Sequence, residues 1–388
     1  MRKIVIAADS FKGSLSSREV ADAVTSGIIK IHPNCRVTPI EVADGGEGTT
    51  DVISSYIGGK TETAQVHDPL GRIIRASYHI TDKGTAIMEM AAASGLTLLE
   101  KEYRNPLLTS TYGTGEMILD AFKKGCRKFI IGIGGSATND GGTGMLEALG
   151  FRFIDRHCRP LNGLCGEKLQ DIAVIDGNDV PQELIDSEFI IICDVTTPFC
   201  GPEGATTVYA PQKGADAKAL KTLEEGMQSL EKVIYDGYGI RLSAAVGSGA
   251  AGGLGGAFLA FLKGRLERGI DMVLDTIGFD NMIQGSDLII TGEGKIDNQT
   301  GQGKVISGVV SRAKKQNIPV IAIAGISDIC QDGIINLGLD AVFPIGPRPQ
   351  NESDLDYAMR PEVASKRISE TVAKALEELS PSLYRVNL

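Results

Sequence analysis

The sequence predicts an α/β fold in two domains: a doubly wound, discontinuous parallel-sheet domain built from both ends of the chain, with a second, mixed α/β domain inserted between them. Three observations carry this expectation. The 388 residues exceed what one hydrophobic core usually supports, while 42% hydrophobic and 23% charged residues are ordinary globular composition. Both ends of the chain hold short apolar runs without alternation, separated by helical segments, as in strands of a parallel sheet covered on both faces. Between them the texture turns β-rich, with a hairpin signal. The expected limits are 1–60 with 286–388 for the first domain and 61–285 for the second, with the active site in the cleft between them.

Taken in order, Lys3 to Ala8 reads as a strand and Asp9 to Ser14 as a loop. A helix starts near Ser17, where Ser16 and Glu19 have capping-box spacing. A second strand is expected at Arg36 to Val42. Thr61 to Ala91 holds two β-rich segments around Thr81-Asp82-Lys83-Gly84, which predicts a hairpin rather than a crossover helix. Further strands are expected at Lys128 to Ile133, Phe151 to Ile154 and Phe189 to Asp194, and an amphipathic helix over Asp216 to Tyr235. The tail alternates again: strand Asp287 to Thr291, helix Lys304 to Gln316, strand Pro319 to Ala324, a helix near Asp332 and strand Ala341 to Ile345.

Composition excludes several function classes. A formal charge of −10 and a pI near 5.1 oppose nucleic-acid binding, which needs a basic stripe, and the absence of Trp with 5% aromatics weakens any platform for stacked bases. The seven cysteines form no CxxC pair and read as reduced core thiols. The N-terminus enters a strand within three residues, which leaves no room for a signal peptide, so a cytoplasmic protein is expected. The one uncharged span of membrane length, Leu242 to Leu262, contains six glycines and two serines and reads as a loop followed by a helix, so no membrane association is expected. There is no Walker loop, no protein-kinase H-R-D or D-F-G element, and none of the four histidines sits in a zinc or triad setting.

The chemistry is concentrated in loops. Lys128 to Ile133 drives into Gly134, Gly135, Ser136, Thr138, Asn139 and Asp140, a loop of glycines, hydroxyls and a carboxylate that suits an anion. Asp9, Ser10, Lys12 and Ser14 follow the first strand; Asp44, Gly45, Gly46 and Glu47 follow the second; Gly292, Glu293, Lys295 and Asp297 follow the strand ending at Thr291. Three loops would then meet along one sheet edge, where open sheets of this type bind ligands. Glu293 and Asp297 are candidates for magnesium or for a general base, and Lys295 for neutralising phosphate charge. Asp194, emerging from a buried strand, must be paired, coordinated or used. Each loop also has a plain structural reading as a turn, helix entry or N-cap. A rival functional reading takes Gly132 to Ala137 as a G-x-G-x-x-[GA] fingerprint with Asp155 as the ribose acid, which would make an NAD-dependent dehydrogenase of a small hydroxy acid. Against it, Asn139-Asp140-Gly141-Gly142 interposes a second turn where the helix should have begun. A non-catalytic nucleotide sensor is the third class.

Together the loops resemble one family closely, the type 1 bacterial glycerate kinases. The matching elements are DSFKGS at Asp9 to Ser14, ADGGEGT at Ala43 to Thr49, YGTGE at Tyr112 to Glu116, GIGGSATNDGG at Gly132 to Gly142, Cys193-Asp194-Val195 with Pro198, Gly201 and Gly204-Ala205, Gln212-Lys213-Gly214-Ala215, GAAGGLG at Gly249 to Gly255 and TGEGKID at Thr291 to Asp297. The resemblance implies transfer of the ATP γ-phosphoryl group to D-glycerate with Mg²⁺, giving 2-phosphoglycerate, though related enzymes form the 3-phosphate. It also implies two α/β domains, one of them Rossmann- or flavodoxin-like. Because phosphoryl transfer needs positioning and charge neutralisation, Lys12, Ser10 and Ser14 are assigned to an anionic group of the substrates and Asp194 to the base. Asp44, Glu47, Glu293 and Asp297 compete for the metal, while Ser136, Thr138, Asn139 and their glycines cradle phosphates beside Lys295. A monomer or small homo-oligomer is expected.

Overall fold

The computed structural model describes residues 1–43, 48–297, 305–347 and 349–383, and the chain is a mixed α/β protein. It divides into two compact units, Met1–Asp44 with Ile270–Leu388, and Gly45–Gly269. These limits differ from the expected 60 and 285. The helix Thr49–Tyr56 goes with the second unit, where Thr50 N–H donates to the Glu89 carboxylate at 3.0 Å. The helix Gly269–Ile277 goes largely with the first, where Arg312 pairs with Asp275 at 2.6 Å.

The first unit is built on five parallel strands: β1 (Lys3–Ala8), β2 (Arg36–Pro39), β12 (Leu288–Ile296), β13 (Val320–Ser327) and β14 (Ala341–Pro344). The spatial order is β14-β13-β12-β1-β2, which is the 2-1-3-4-5 order of flavodoxin-like sheets, with its switch point between β1 and β12. The runs lack alternation because both faces are covered. Ile4, Ile6 and Ile290 pack with Val20, Val24 and Ile28 of the helix Ser17–Ile31 and with Ile368 and Val372 of the helix Pro361–Leu383. The helix Val305–Lys315 lies against β12 and β1, burying Val305, Val309 and Ala313. Ser16 caps the first helix through the expected reciprocal box, its hydroxyl accepting from Glu19 N–H at 3.3 Å and its own N–H donating to the Glu19 carboxylate at 2.8 Å.

The second unit holds a six-stranded sheet in the order β11-β10-β6-β5-β4-β3. Its strands are β3 (Gly59–His67), β4 (Ile73–Thr81), β5 (Thr85–Glu89), β6 (Lys128–Gly132), β10 (Glu188–Ile192) and β11 (Arg265–Glu267). β3, β4 and β5 form an antiparallel meander, so the β-rich segment contains two hairpins, the expected one at Thr81 to Gly84 and another closed by Asp68. β5, β6, β10 and β11 run parallel. Phe129 and Phe189 stack at 4.8 Å in this core. A small antiparallel sheet, β8-β7-β9, comprises β7 (Arg152–Asp155), β8 (Pro160–Leu161) and β9 (Ile172–Asp176). The amphipathic segment forms the helix Ala217–Tyr238, capped by Asp216. Leu242 to Leu262 is a loop followed by the helix Leu254–Phe261, and among the described residues no helix is long and apolar enough to cross a membrane.

Gly27 sets the spacing of the two helices on the first sheet. A Cβ there would lie 2.6 Å from the Ser369 carbonyl oxygen and 2.8 Å from Val372 Cβ. Gly27→Ala should therefore destabilise the first unit by about 1–3 kcal/mol, the usual cost of overpacking. Urea unfolding of the variant checks this, and an unchanged midpoint would show that the helices separate freely.

Candidate active site

The first cluster lies at the switch point. The β1–β12 register sets Ala8 opposite Gly292, and Asp9 N–H donates to the Gly292 carbonyl at 2.9 Å, so the two loops leave the sheet side by side. Gly292 is itself buried; a Cβ there would sit 2.5 Å from the Ile323 carbonyl oxygen, so its smallness lets β12 and β13 pair. Phe11 and Leu15 are buried and bonded to each other through their backbones at 2.8 and 3.0 Å, which pins the loop and leaves Lys12 and Gly13 exposed between them. Ser14 Oγ is buried with no hydrogen-bond partner among the described residues.

A cavity of about 360 Å³ opens beside this loop. Asp9, Ser10, Lys12, Ser14, Glu293 and Lys295 supply its polar lining, and Phe11, Ile326, Ile345, Leu355 and Met359 much of its apolar lining. Arg367, from the last helix, also lines it. No sequence signal marks Arg367, because it lies on one face of an amphipathic helix. Glu293 is only 6% exposed. Lys295 pairs with Asp297 at 3.2 Å and Asp328 at 3.5 Å; the Asp297 hydrogen bond, then Asp328, hold its pKa above the ordinary lysine value. Asp297, a candidate metal ligand by sequence, thus faces Lys295. Asp44, Gly45, Gly46 and Glu47 lie outside the described residues. Among the described residues no group of three or more His, Cys, Asp or Glu is arranged to hold a metal ion.

The second cluster follows β6. Gly134 and Gly135 are exposed and Ser136 is nearly buried, whereas Thr138, Asn139 and Asp140 are fully buried. The Asp140 carboxylate accepts from Thr111 N–H at 2.7 Å, the Thr111 hydroxyl at 2.8 Å, and the N–H groups of Gly142 at 3.2 Å and Gly144 at 3.3 Å. Burial pushes its pKa up, and these bonds oppose that. Asn139 Nδ2 donates to Thr206 Oγ1 at 3.1 Å, while Asn139 Oδ1 and Thr138 Oγ1 are buried without a partner among the described residues. The GAAGGLG segment buttresses the loop: Gly141 N–H donates to the Gly252 carbonyl at 2.9 Å, and a Cβ on Gly252 would lie 2.1 Å from the Thr138 carbonyl oxygen. As placed, Asp140 and Asn139 tie the loop to its neighbours and Gly134 to Ser136 form its outer edge.

Two carboxylates stand near that edge. The registers align Glu89, Gly132 and Ile192 across β5, β6 and β10. Asp194, just past β10, is exposed and accepts from Gly269 N–H at 2.9 Å, at the start of the helix Gly269–Ile277. Glu89 has its pKa raised by burial, against the Thr50 hydrogen bond. The signal that marks Asp194, a carboxylate ending a buried strand, also fits Glu89, which the sequence reading missed.

The dinucleotide reading is overturned. β7 joins the antiparallel β8-β7-β9 sheet rather than continuing a βαβ unit, and Asp155 is bound into its own turn by His157 N–H, Arg159 N–H and the Arg159 guanidinium. No ribose acid is thereby presented.

Glycine loops, hydroxyls and lysines gathered at the carboxyl ends of parallel strands define an α/β protein of the class that handles small anionic ligands. The chain belongs to the glycerate kinase family, whose model matches residues 4–379. It is 43% identical to a glycerate kinase of Bacillus subtilis strain 168 over 346 residues, 89% of this chain and 90% of that one. It is equally identical to the glycerate 2-kinase of Escherichia coli K12, over 88% of this chain and 90% of that one. A crystal structure of the protein designated glycerate kinase 2 from Salmonella typhimurium LT2 superposes with a TM-score of 0.83 at 39% identity, covering 98% of both chains. These relationships make the chain a kinase and support neither the dehydrogenase nor the non-catalytic sensor.

Because Asp140 is fully buried and satisfies four donors, Asp140→Ala should lower the unfolding free energy by about 3 kcal/mol, on the scale of broken buried networks. Asp140→Asn should fall between the two. Denaturant titration of both variants checks this; wild-type stability in Asp140→Ala would show that the loop holds its shape without the carboxylate.

Proposed function

We propose that this chain transfers the γ-phosphoryl group of ATP to D-glycerate and forms 2-phosphoglycerate. Family membership supports the reaction, and the glycerate 2-kinase relative supports the C2 product. The observation that carries the site is the cavity at the switch point, where Ser10, Lys12, Ser14, Glu293 and Lys295 come from two loops onto one lining. The lysines and hydroxyls suit phosphate oxygens, and the adjoining apolar lining suits a nucleoside, so the cavity takes ATP. Mg²⁺ characteristically takes one or two carboxylates and completes its shell with water and phosphate. Asp9 and Glu293 fit that donor set, and the Ser14 hydroxyl adds an oxygen that has no partner among the described residues. When bound there, the ion would neutralise phosphate charge.

The carboxyl edge of the second sheet takes glycerate. Asp194 accepts the proton of the substrate hydroxyl as the oxygen attacks the γ-phosphorus and ADP departs. The amides of Gly134 to Ser136 face an anionic group of the substrate. In this reading the two compact units are two domains, the second inserted in the first. The enzyme works in the cytoplasm, as a monomer or small homo-oligomer.

Phosphorus NMR of the chain with MgATP and D-glycerate tests the reaction. A C2 phosphomonoester appearing with ADP is expected; a C3 ester would overturn the product, and unchanged ATP the activity. Asp194→Asn retains an oxygen acceptor for Gly269 N–H, so it should lower kcat roughly 100-fold or more without loss of stability. Near-normal turnover would remove Asp194 from the role of base. Lys12→Met should reduce kcat/KM by about tenfold or more, as loss of a charge-neutralising group does.

A further inference from the structure

Lys213, from the Gln212-Lys213-Gly214-Ala215 segment, has no role in the mechanism above, yet it is the one lysine that is buried among the described residues, with 2% exposure. It closes the short 3₁₀ turn Pro211–Lys213. The next residue, Gly214, has φ +98° and would place a Cβ 2.1 Å from the Arg104 carbonyl oxygen, so the turn is fixed tightly against that strand of chain. Lys213 Nζ donates to Ser136 Oγ and to the Thr138 carbonyl, both at 2.7 Å. An ammonium has three hydrogens, and the third finds no acceptor among the described residues.

The groups around this nitrogen explain why it is poised. Asp140 is the acid that acts on it through space, and its carboxylate is already saturated by Thr111, Gly142 and Gly144. Arg104 sends its guanidinium to the Leu99 carbonyl, and Tyr209 pairs with Thr197. Burial without an ion pair lowers the lysine from its ordinary 10.5 to about 7. A neutral amine has two hydrogens, which match its two acceptors.

On the outer side, the amides of Gly134, Gly135 and Ser136 donate to no group among the described residues. The flanking groups are tied back: the Gly135 carbonyl accepts from Leu96 N–H at 2.8 Å, and Ala137 N–H donates to the Ser94 carbonyl at 2.9 Å. Three consecutive amides along this edge, with the buried Lys213 nitrogen behind the Ser136 hydroxyl, are the kind of donors that receive an anion.

From this geometry we infer that Lys213 is a positioning residue: it holds Ser136 and the Thr138 carbonyl so that the Gly134 to Ser136 edge receives a small carboxylate, and it takes up a proton when that anion binds. The carboxylate is the glycerate of the reading above, on which this step rests. The anion stabilises the ammonium, and the proton comes from solvent, so the lysine gains one positive charge as the ligand brings one negative charge. Affinity then falls as pH rises above about 7. Stability runs the other way. Between about pH 7 and 10.5 the unfolded lysine holds a proton that the folded one has lost, so this residue's contribution to stability rises with pH across that window.

The test is calorimetric titration of the wild-type chain with D-glycerate, and separately with sulfate as a fully ionised anion, in buffers of low and high ionisation enthalpy. Proton uptake should approach one per site above about pH 7 and vanish well below it. Lys213→Met should abolish the uptake, raise KM for D-glycerate roughly tenfold with a smaller effect on kcat, and flatten the rise of stability with pH. Lys213→Arg, which stays charged, should bind without uptake. Anion binding by the wild type with no proton uptake would overturn the inference even if every variant unfolds, as would a folded Lys213→Met with unchanged KM and pH profile. Uptake with sulfate but no binding of glycerate would keep Lys213 and overturn the substrate; binding of neither anion would overturn both.

Discussion

The parallel pairing of β1 with β12 is the constraint on which the first unit depends. It joins residues near the N-terminus to residues some 280 positions later, with Ile4 opposite Leu288 and Ala8 opposite Gly292. Around it the ends are clamped: Asp287 accepts from Arg2 N–H at 2.5 Å and Lys3 N–H at 2.9 Å, and Lys3 Nζ reaches the Met282 and Gln284 carbonyls. Such a long-range pairing carries a large loop-closure cost in a flexible chain, which falls when the intervening segment is compact. The second unit therefore serves the first energetically, as well as supplying its own chemistry. The same pairing creates the switch point, because β1 and β12 send their connections to opposite sides of the sheet.

In the second unit the corresponding constraint is polar. Asp140 and Lys213 are both buried, and they do not form a salt bridge; each instead spends its hydrogen bonds on loop backbone and hydroxyls. A direct pair would fix the two charges to each other and draw them away from the Gly142 and Gly144 amides and the Thr138 carbonyl that they now satisfy. Divided as it is, the carboxylate gathers N–H groups and the amine gathers oxygens. The loop is held from both sides, and Gly141 and Gly252 close it against its neighbours.

Much of this was legible in the sequence, and the parts that were not share a physical cause. Strands without alternation, the Ser16–Glu19 box and the Asp216 cap follow from local chemistry and periodicity, which a single chain displays openly. Asp9, Ser10, Lys12, Ser14, Glu293 and Lys295 were legible as a group because strand ends in a parallel sheet share an edge. Side-chain direction was not legible. Asp140 and Asn139 read as ligand groups from a loop of ligand-like composition, and the structure turns them inward. Asp155 read as a ribose acid because linear spacing does not reveal that β7 leaves the parallel sheet. Arg367 carried no signal, and Lys213 stood in a matched motif without a role, because what brings them to their loops is tertiary packing.

In the proposed reading the two clusters would receive an anion in different ways. At the switch point the cations are exposed: Lys12 lies in solvent reach and Lys295 is already held by Asp297 and Asp328. Solvent screens these charges, so they would attract a highly charged ligand without a large desolvation cost. Along the β6 loop Gly134 and Gly135 are exposed and Lys213 is interior, where the low dielectric makes its charge state sensitive to what binds beside it. An exposed pair of lysines suits a triphosphate, whose many charges need only neutralisation. A buried lysine whose charge is disfavoured by burial would suit a small monoanion, because the one charge it gains matches the one charge that arrives.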